Sequence, residues 1–430
     1  LPVVTLLVSA QPGELRAAWV ADGRLVDLMI SRSDHPSRLG EIHLGRITAV
    51  DRGLGAAFVD LGFERPGFLP LAEAPKGTLH EGAAVTVRVL REAAAGKGPR
   101  LTARLIDPPP DLDALVRAAK PPCRLAPGGD PLSRLLAARE PPEAILIDHA
   151  ETYRAFKQRA AAVRPDLADR LSLDHGAEPL FERALLDDAV PDGAGESLEA
   201  AIEGLLDPRV ALPSGGRLWI EPTHGMVAID VDSAGQEAGD PARLALAVDL
   251  EAAAEIPRQL RLRALSGQIV IDFLALADAA ARKRVVAALR AGLEGDREPV
   301  RLGPMRASGL VEMTRRRGGP ALHEILTRPC GDDGSGRRKT AATLAFEALR
   351  AVRRAAALAP GASLAVKARP AVLAALDGPA GQARAELERR LGRPLTLIAA
   401  ASPADGADEA DEADEADYEI VPQRCEPREG

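Results

Sequence analysis

The chain has 430 residues, enough for two to four domains, and 46% of them are apolar, yet no stretch approaches the 18 uninterrupted apolar residues of a membrane span. Its net charge of −8 is unevenly placed: residues 401–430 hold 11 Asp and Glu against 2 Arg, while the other 400 residues carry 53 basic and 52 acidic groups. That near-neutral body neither demands nor excludes a polyanionic partner, and three widely spaced cysteines, Cys123, Cys330 and Cys425, make neither a disulfide framework nor a complete zinc site of paired CxxC motifs.

The start, "LPVVTLLVSAQPGELRAAW", has no basic region before its apolar run and no small-residue cleavage site, and reads as the start of a cytoplasmic chain. The turn signal "ADG" precedes an alternating strand-like run, "RLVDLMI" (24–30). From Gly40 to Ile106 come five short β-rich runs broken by glycine, the pattern of a small OB-type barrel. Residues 107–143, with "DPPP", "PGGDP" and two "PP" pairs, read as a Pro-rich connector with at most one or two short helices. "AILID" (144–148) resumes a buried strand, and helical spacing follows at 150–163 and 178–187.

"GGRLWIEPTHGMVAIDVD" (215–232) reads as strand, turn, strand; 242–265 repeats apolar residues at helical spacing, and "SGQIVIDF" (266–273) opens another strand. This order predicts a mixed α/β core. After Cys330 a basic, alanine-rich helix runs to about Leu358, then a βαβ-like segment closes the folded part. The repeat "ADEADEADEAD" (407–417) is acidic, low in complexity and expected to be disordered.

Chemistry concentrates in "MVAIDVDSAG" (226–235). Alternation along a strand puts Asp230 and Asp232 on one face about 7 Å apart, with Val231 turned into the core. Asp272 ends "IVID", where strand ends of an α/β sheet meet ligands. If the two strands are neighbours, three carboxylates converge and repel, which Mg²⁺ would relieve while bridging to phosphate oxygens. Solvated strand-end aspartates are the plain alternative.

"GRLWIEPTHGMVAIDVDSAG", "DLEAAAEIPRQLRLRALSGQIVIDF" and "GLVEMTRRR", in this order, resemble the catalytic core of the ribonuclease E/G family. "GEIHLGRITAVDRGLGAAFVDLGFERPGFLPL" is similar to that family's OB-fold RNA-binding domain, and "RRLGRPLTLIA…YEI" to the end of its compact, ribonuclease G-like members. The resemblance implies an α/β multidomain chain. Its parts are an RNase H-like domain in two pieces (1–39 and 144–205), an inserted OB-fold β-barrel (40–106), the connector (107–143), a DNase I-like catalytic domain (206–328), a degenerate zinc link (329–336), a small α/β C-terminal domain (337–400) and an acidic disordered tail (401–430).

The function implied is a cytoplasmic, Mg²⁺-dependent endoribonuclease. It would cut single-stranded RNA to leave a 5′ phosphate, in rRNA and tRNA maturation and mRNA decay. By the same resemblance Asp230 and Asp272 hold Mg²⁺, Phe58 and Phe68 stack RNA bases, and Lys97, Arg315, Arg316 and Arg317 meet phosphate. A core-filling role for the phenylalanines and a solvated face for the basic residues are the plain readings.

Two positions and one segment depart from the pattern. The family's asparagine falls on Asp232, in a chain that contains no asparagine; an aspartate accepts hydrogen bonds but does not donate them, so Asp232 is expected to join the catalytic group as a third metal ligand or as an acceptor behind the ligands. The connector is too short for the family's pocket for a 5′-terminal monophosphate. In "RPCGDDG", Cys330 is kept and Asp333 stands at the second cysteine, so the shared Zn²⁺ of a homodimer is expected to be lost or weak. The alternative to an enzyme is a catalytically impaired RNA-binding protein of the same family.

Overall fold

The computed structural model describes residues 4–74, 79–93, 97–105, 108–129, 132, 135, 141–176, 178–186, 195–235, 240–330, 336–400 and 417–423. It is a mixed α/β, multidomain protein. Among the described residues no helix is long and apolar enough to cross a membrane.

The first sheet begins with an antiparallel meander, Val4–Gln11, Glu14–Ala21 and Arg24–Arg32. Only the third of these strands is marked by alternation in the sequence. Residues 6–11 are buried throughout, so the first strand carries no period-2 signal. Asp22 and Gly23 both take positive φ, which supplies the tight turn between the second and third strands. Ala144–Ile147 and Leu171–Leu173 then add in parallel on the far side of Val4–Gln11. The helix expected at 178–187 is shorter, Leu180–Arg183, and gives way to the two-residue strand Leu185–Leu186.

Between the third and fourth strands the chain inserts a closed, five-stranded OB-like barrel. Ile42–Asp51, Ala56–Asp60, Gly67–Pro70, Arg100–Thr102 and Ala84–Arg91 follow one another around it, and the last pairs back onto the first. Ile47, Val59, Leu69, Val87 and Leu101 fill its interior. The connector does more than connect. It holds the helix Leu112–Ala118, and its strand Cys123–Ala126 pairs with Ile42–Leu44 as a sixth strand on the barrel sheet.

The second large sheet runs Arg209–Ala211, Arg217–Pro222, Val227–Asp232, Gly267–Asp272, Leu310–Arg315, Val300–Leu302, with only its central pair parallel. Two helices, Pro241–Leu262 and Ala279–Leu293, cover one face. Val248, Ala252, Ile256 and Val285 pack there on Leu218, Ile229, Ile271 and Val311. The long helix starts where the sequence signals it, with Pro241 at its first turn and Asp240 accepting hydrogen bonds from the Ala242 and Arg243 amides at 3.1 and 3.2 Å. Leu262 and Leu322 share a core with Leu28 and Leu180, which joins this unit to the first sheet.

The C-terminal unit is a three-stranded sheet with the helices Ala341–Leu358, Pro370–Asp377 and Gly381–Leu391. Ser363–Ala368 and Thr396–Ala399 are parallel, as the βαβ-like pattern predicts. Its end corrects the expectation that residues 401–430 are all tail: Tyr418–Gln423 pairs antiparallel with Ser363–Ala368. The acidic repeat at 407–416 lies outside the described residues. Arg350 ties this unit to the first sheet through Glu14 at 2.8 Å and to the helix Leu198–Gly204 through Glu199 at 3.1 Å.

Candidate active site

Alternation along Val227–Asp232 turns Val227, Ile229 and Val231 into the helix-covered core and leaves Ala228, Asp230 and Asp232 on the open face. The neighbouring parallel strand ends in register, so Asp230 lies directly beside Asp272. Both are exposed, and neither has an ion-pair partner among the described residues. Partial burial raises the Asp230 carboxyl above the ordinary range, and the charges of Asp272, Asp232 and Glu221 push it further the same way. Gly309 makes the approach of the next strand possible. Its φ is +99°, and a Cβ there would lie 2.1 Å from the Phe273 carbonyl oxygen and 3.6 Å from Asp272 Oδ1.

Asp232 is held differently. Its Oδ1 accepts from the Ala234 amide at 2.8 Å, closing a turn in which Ala234 takes a φ of 57°, and its Oδ2 lies 3.3 Å from Arg217 Nε. Arg217 is its cross-strand partner in register. The extra negative charge at the asparagine position therefore has a cation beside it, a compensation that sequence reading missed because the two residues sit on different strands.

Asp249 was also missed. It is fully buried on the long helix and accepts at Oδ1 from the Leu274 amide, 3.0 Å away, just past Asp272. Its Oδ2 is buried without a hydrogen-bond partner among the described residues, and burial raises the carboxyl to about 7. A carboxyl that burial pushes toward its protonated form thus secures the segment that follows the exposed Asp272.

No group of three or more His, Cys, Asp or Glu side chains poised to hold a metal is present among the described residues. Asp230 and Asp272 alone do suit Mg²⁺, which takes one or two carboxylates and keeps several waters, and their mutual repulsion is what a divalent cation would relieve.

On the barrel, Phe58 and Phe68 face each other in register, rings edge-on with centroids 6.1 Å apart. Both are half-buried on the outer face, while Ala57, Val59 and Leu69 turn inward. They do not fill the core. An open recess beside Phe58 is lined by Asp51, Arg52, Leu79 and His80. Lys97 is exposed in the loop that leads to Arg100, the residue opposite Phe68.

The arginines do not join the carboxylates. Leu310–Arg315 runs antiparallel to Gly267–Asp272, so Leu310 lies beside Asp272 and Arg315 beside Gly267, five residues or roughly 17 Å away. Arg315 is buried and bonded twice to Asp296, both at 2.9 Å, and donates to the Leu265 carbonyl at 2.7 Å. The expectation that it meets phosphate is corrected here, because its donors face protein acceptors inside the fold. Arg316 pairs with Glu298 at 2.8 Å and Arg317 with Glu324; of the three, only Arg316 is exposed.

Residues 112–318 match the model of the Ribonuclease E/G family. The chain is 30% identical to ribonuclease E of Haemophilus influenzae over 432 residues, covering 80% of this chain and 45% of that protein. It is 28% identical to ribonuclease G of the same species, over 86% of this chain and 91% of that protein, and 26% identical to ribonuclease G of Escherichia coli, over 90% and 95%. Over most of its length the chain is thus similar to members of the ribonuclease E/G family. It spans about half the length of the ribonuclease E relative.

Within that family frame, Cys330 ends the hairpin strand Thr327–Cys330, opposite Gly336. It is a free, half-buried thiol, and Asp333 lies outside the described residues. The alignment with ribonuclease G of Escherichia coli runs over 479 positions although only 90% of this chain takes part, so that relative contains stretches this chain lacks.

Proposed function

We propose that this chain is an endoribonuclease that hydrolyses single-stranded RNA at Asp230 and Asp272, with Mg²⁺ held between the two carboxylates. The observation that carries this reading is the register of Asp230 with Asp272 on an open sheet face, inside the segment that matches the family. Bound there, Mg²⁺ would supply positive charge where the phosphodiester develops negative charge. Asp232, anchored by Arg217 and the Ala234 amide, would steady the strand end and orient Asp230. Phe58 and Phe68 would stack bases, and Lys97 would meet phosphate on the way to the cut. Arg316 and Arg317, at the far end of the sheet, would touch RNA only beyond the cleaved segment.

The strand order of the first sheet, a meander followed by two parallel strands, supports its reading as RNase H-like, and the helix-backed sheet of the carboxylates supports a DNase I-like one. Coverage of nine-tenths of ribonuclease G supports a compact member of that type. We read the missing stretches as the 5′-end pocket: this enzyme would cleave 5′-monophosphate and 5′-hydroxyl versions of one RNA alike, and a strong preference for the monophosphate would refute the idea. The zinc link would be lost with its second cysteine, and metal analysis finding half a zinc per chain would restore it. A homodimer built through the small domain, a cytoplasmic location, and rRNA, tRNA precursors and mRNA as substrates complete the proposal.

The deciding experiment compares wild type and Asp272→Asn on a fluorescent AU-rich single-stranded RNA, with Mg²⁺ and with EDTA. Cutting that needs Mg²⁺ and is lost in the variant supports the hydrolase. Binding without cutting by wild type supports the impaired RNA-binding protein that Asp232 suggests, although its pairing with Arg217 favours a working site.

A further inference from the structure

The register of the second sheet lines up one residue from each of five strands: Arg209 beside Trp219, Trp219 beside Asp230, Asp230 beside Asp272, Asp272 beside Leu310. All five side chains belong to the face that the helices leave open, whereas Leu218 and Ile220, on either side of Trp219, are buried in the core. A half-exposed indole therefore stands one strand, about 4.8 Å, from the first metal-site carboxylate. On its other side the Arg209 guanidinium lies 5.9 Å from the ring centre and is itself tethered to Asp207 at 3.1 Å.

Aromatic residues are scarce here, 3% of the chain, and the other tryptophan, Trp19, is 5% exposed beneath Arg297. Trp219 is thus the tryptophan that leaves apolar surface uncovered beside a cluster of carboxylates, where packing alone would favour a small or polar side chain. A carboxylate edge holding a phosphate and a flat ring one strand away match the two halves of a single nucleotide. Base stacking on an aromatic ring is tolerant of sequence but stronger for larger π surfaces.

The geometry points to Trp219 as the platform on which the base next to the cleaved linkage stacks, with a purine preferred at that position. This inference rests on reading Asp230 and Asp272 as the hydrolytic site. Trp219 acts as a positioning and specificity-determining residue, and the reacting atoms stay with the carboxylates. Phe58 and Phe68 belong to the barrel sheet, whereas Trp219 shares the sheet of the carboxylates.

The test is a cycle between protein and RNA. A short single-stranded RNA with one cleavage site is made intact and with an abasic residue next to the cleaved linkage. With wild type, the abasic residue should raise KM about ten-fold, and Trp219→Ala should do the same to the intact RNA. Together they should cost no more than either alone, with kcat nearly unchanged and with Trp219→Phe restoring most of the loss. Replacing the purine at that position by a pyrimidine should weaken wild type and leave Trp219→Ala indifferent.

In parallel, the intact RNA is titrated in EDTA. Tryptophan emission should fall in wild type and stay level in Trp219→Phe, which keeps Trp19 as its only indole. Penalties that simply add, or emission unchanged while anisotropy reports saturation, would overturn the inference. Emission that follows protein concentration instead of RNA would mark a self-association face and overturn it too. The titration needs no hydrolysis, so a chain that quenches without cutting keeps the stacking site and loses the hydrolytic reading.

Discussion

The two ends of one pair of strands, Gly267–Asp272 and Leu310–Arg315, handle charge in opposite ways. At the arginine end, the Arg315 and Asp296 side chains are buried, opposite in sign and bonded through both guanidinium nitrogens that face the carboxylate. At the carboxylate end, Asp230 and Asp272 are exposed, like in sign and adjacent. A satisfied pair consolidates the fold, whereas unrelieved repulsion at a strand end is tolerated where a ligand completes it. In sequence both look like clusters of charge. The structure separates a fastening from a candidate site.

The sharpest way to break this contrast is Asp272→Asn. It should lower kcat about a thousand-fold, the scale of several kcal/mol of lost charge stabilisation, and leave the urea midpoint level or slightly raised because a repulsion is gone. A variant that unfolds would make Asp272 a fold residue and end the comparison. Arg315→Ala should do the reverse. Leaving Asp296 buried and unpaired should cost about 3–5 kcal/mol in denaturant unfolding, with kcat of the folded fraction kept.

Asp249 extends the contrast to pH. Its folded carboxyl sits at about 7 against an ordinary 3.8, so the native state favours the protonated form. Its contribution is present at low pH and is lost as pH rises from about 4 through about 7, on the order of 4 kcal/mol in all. Asp249→Asn removes that titration. The variant should gain on wild type between pH 5 and pH 8 in paired urea unfolding, and parallel curves would show that Asp249 does not titrate in this range.

Arg217→Ala should lower kcat/KM by no more than about five-fold, the worth of one exposed ion pair, because it leaves Asp232 an uncompensated charge beside the candidate site. Adding Asp232→Asn should restore most of that loss. A double variant no better than the single one would remove Arg217 from the account. Arg316→Ala, an exposed pair with Glu298, is expected to change stability by less than about 0.5 kcal/mol.

Much of the site was legible before any coordinates. The pleat alone puts Asp230 and Asp232 on one face and Val231 on the other, and the same alternation turns Phe58 and Phe68 outward from Val59 and Leu69. What misled was order in the chain: "TRRR" comes after the carboxylate strand in sequence, yet the antiparallel direction of its strand sets it beside Gly267, at the end away from Asp272. The Pro-rich connector hid a strand because three residues, Ile42–Leu44, already offered an open edge for it. The strand Tyr418–Gln423 hid behind a charged repeat because its pairing partner lies far back along the chain.

By itself, then, the sequence determined which residues share a face, where helices begin and which family the motifs resemble, since periodicity and capping are local and act within a few residues. Only the tertiary structure decided that Asp230 abuts Asp272, that Arg217 neutralises Asp232, and that Trp219 stands beside the carboxylates. Those facts depend on strand order and register, which many distant side chains set together through one shared core.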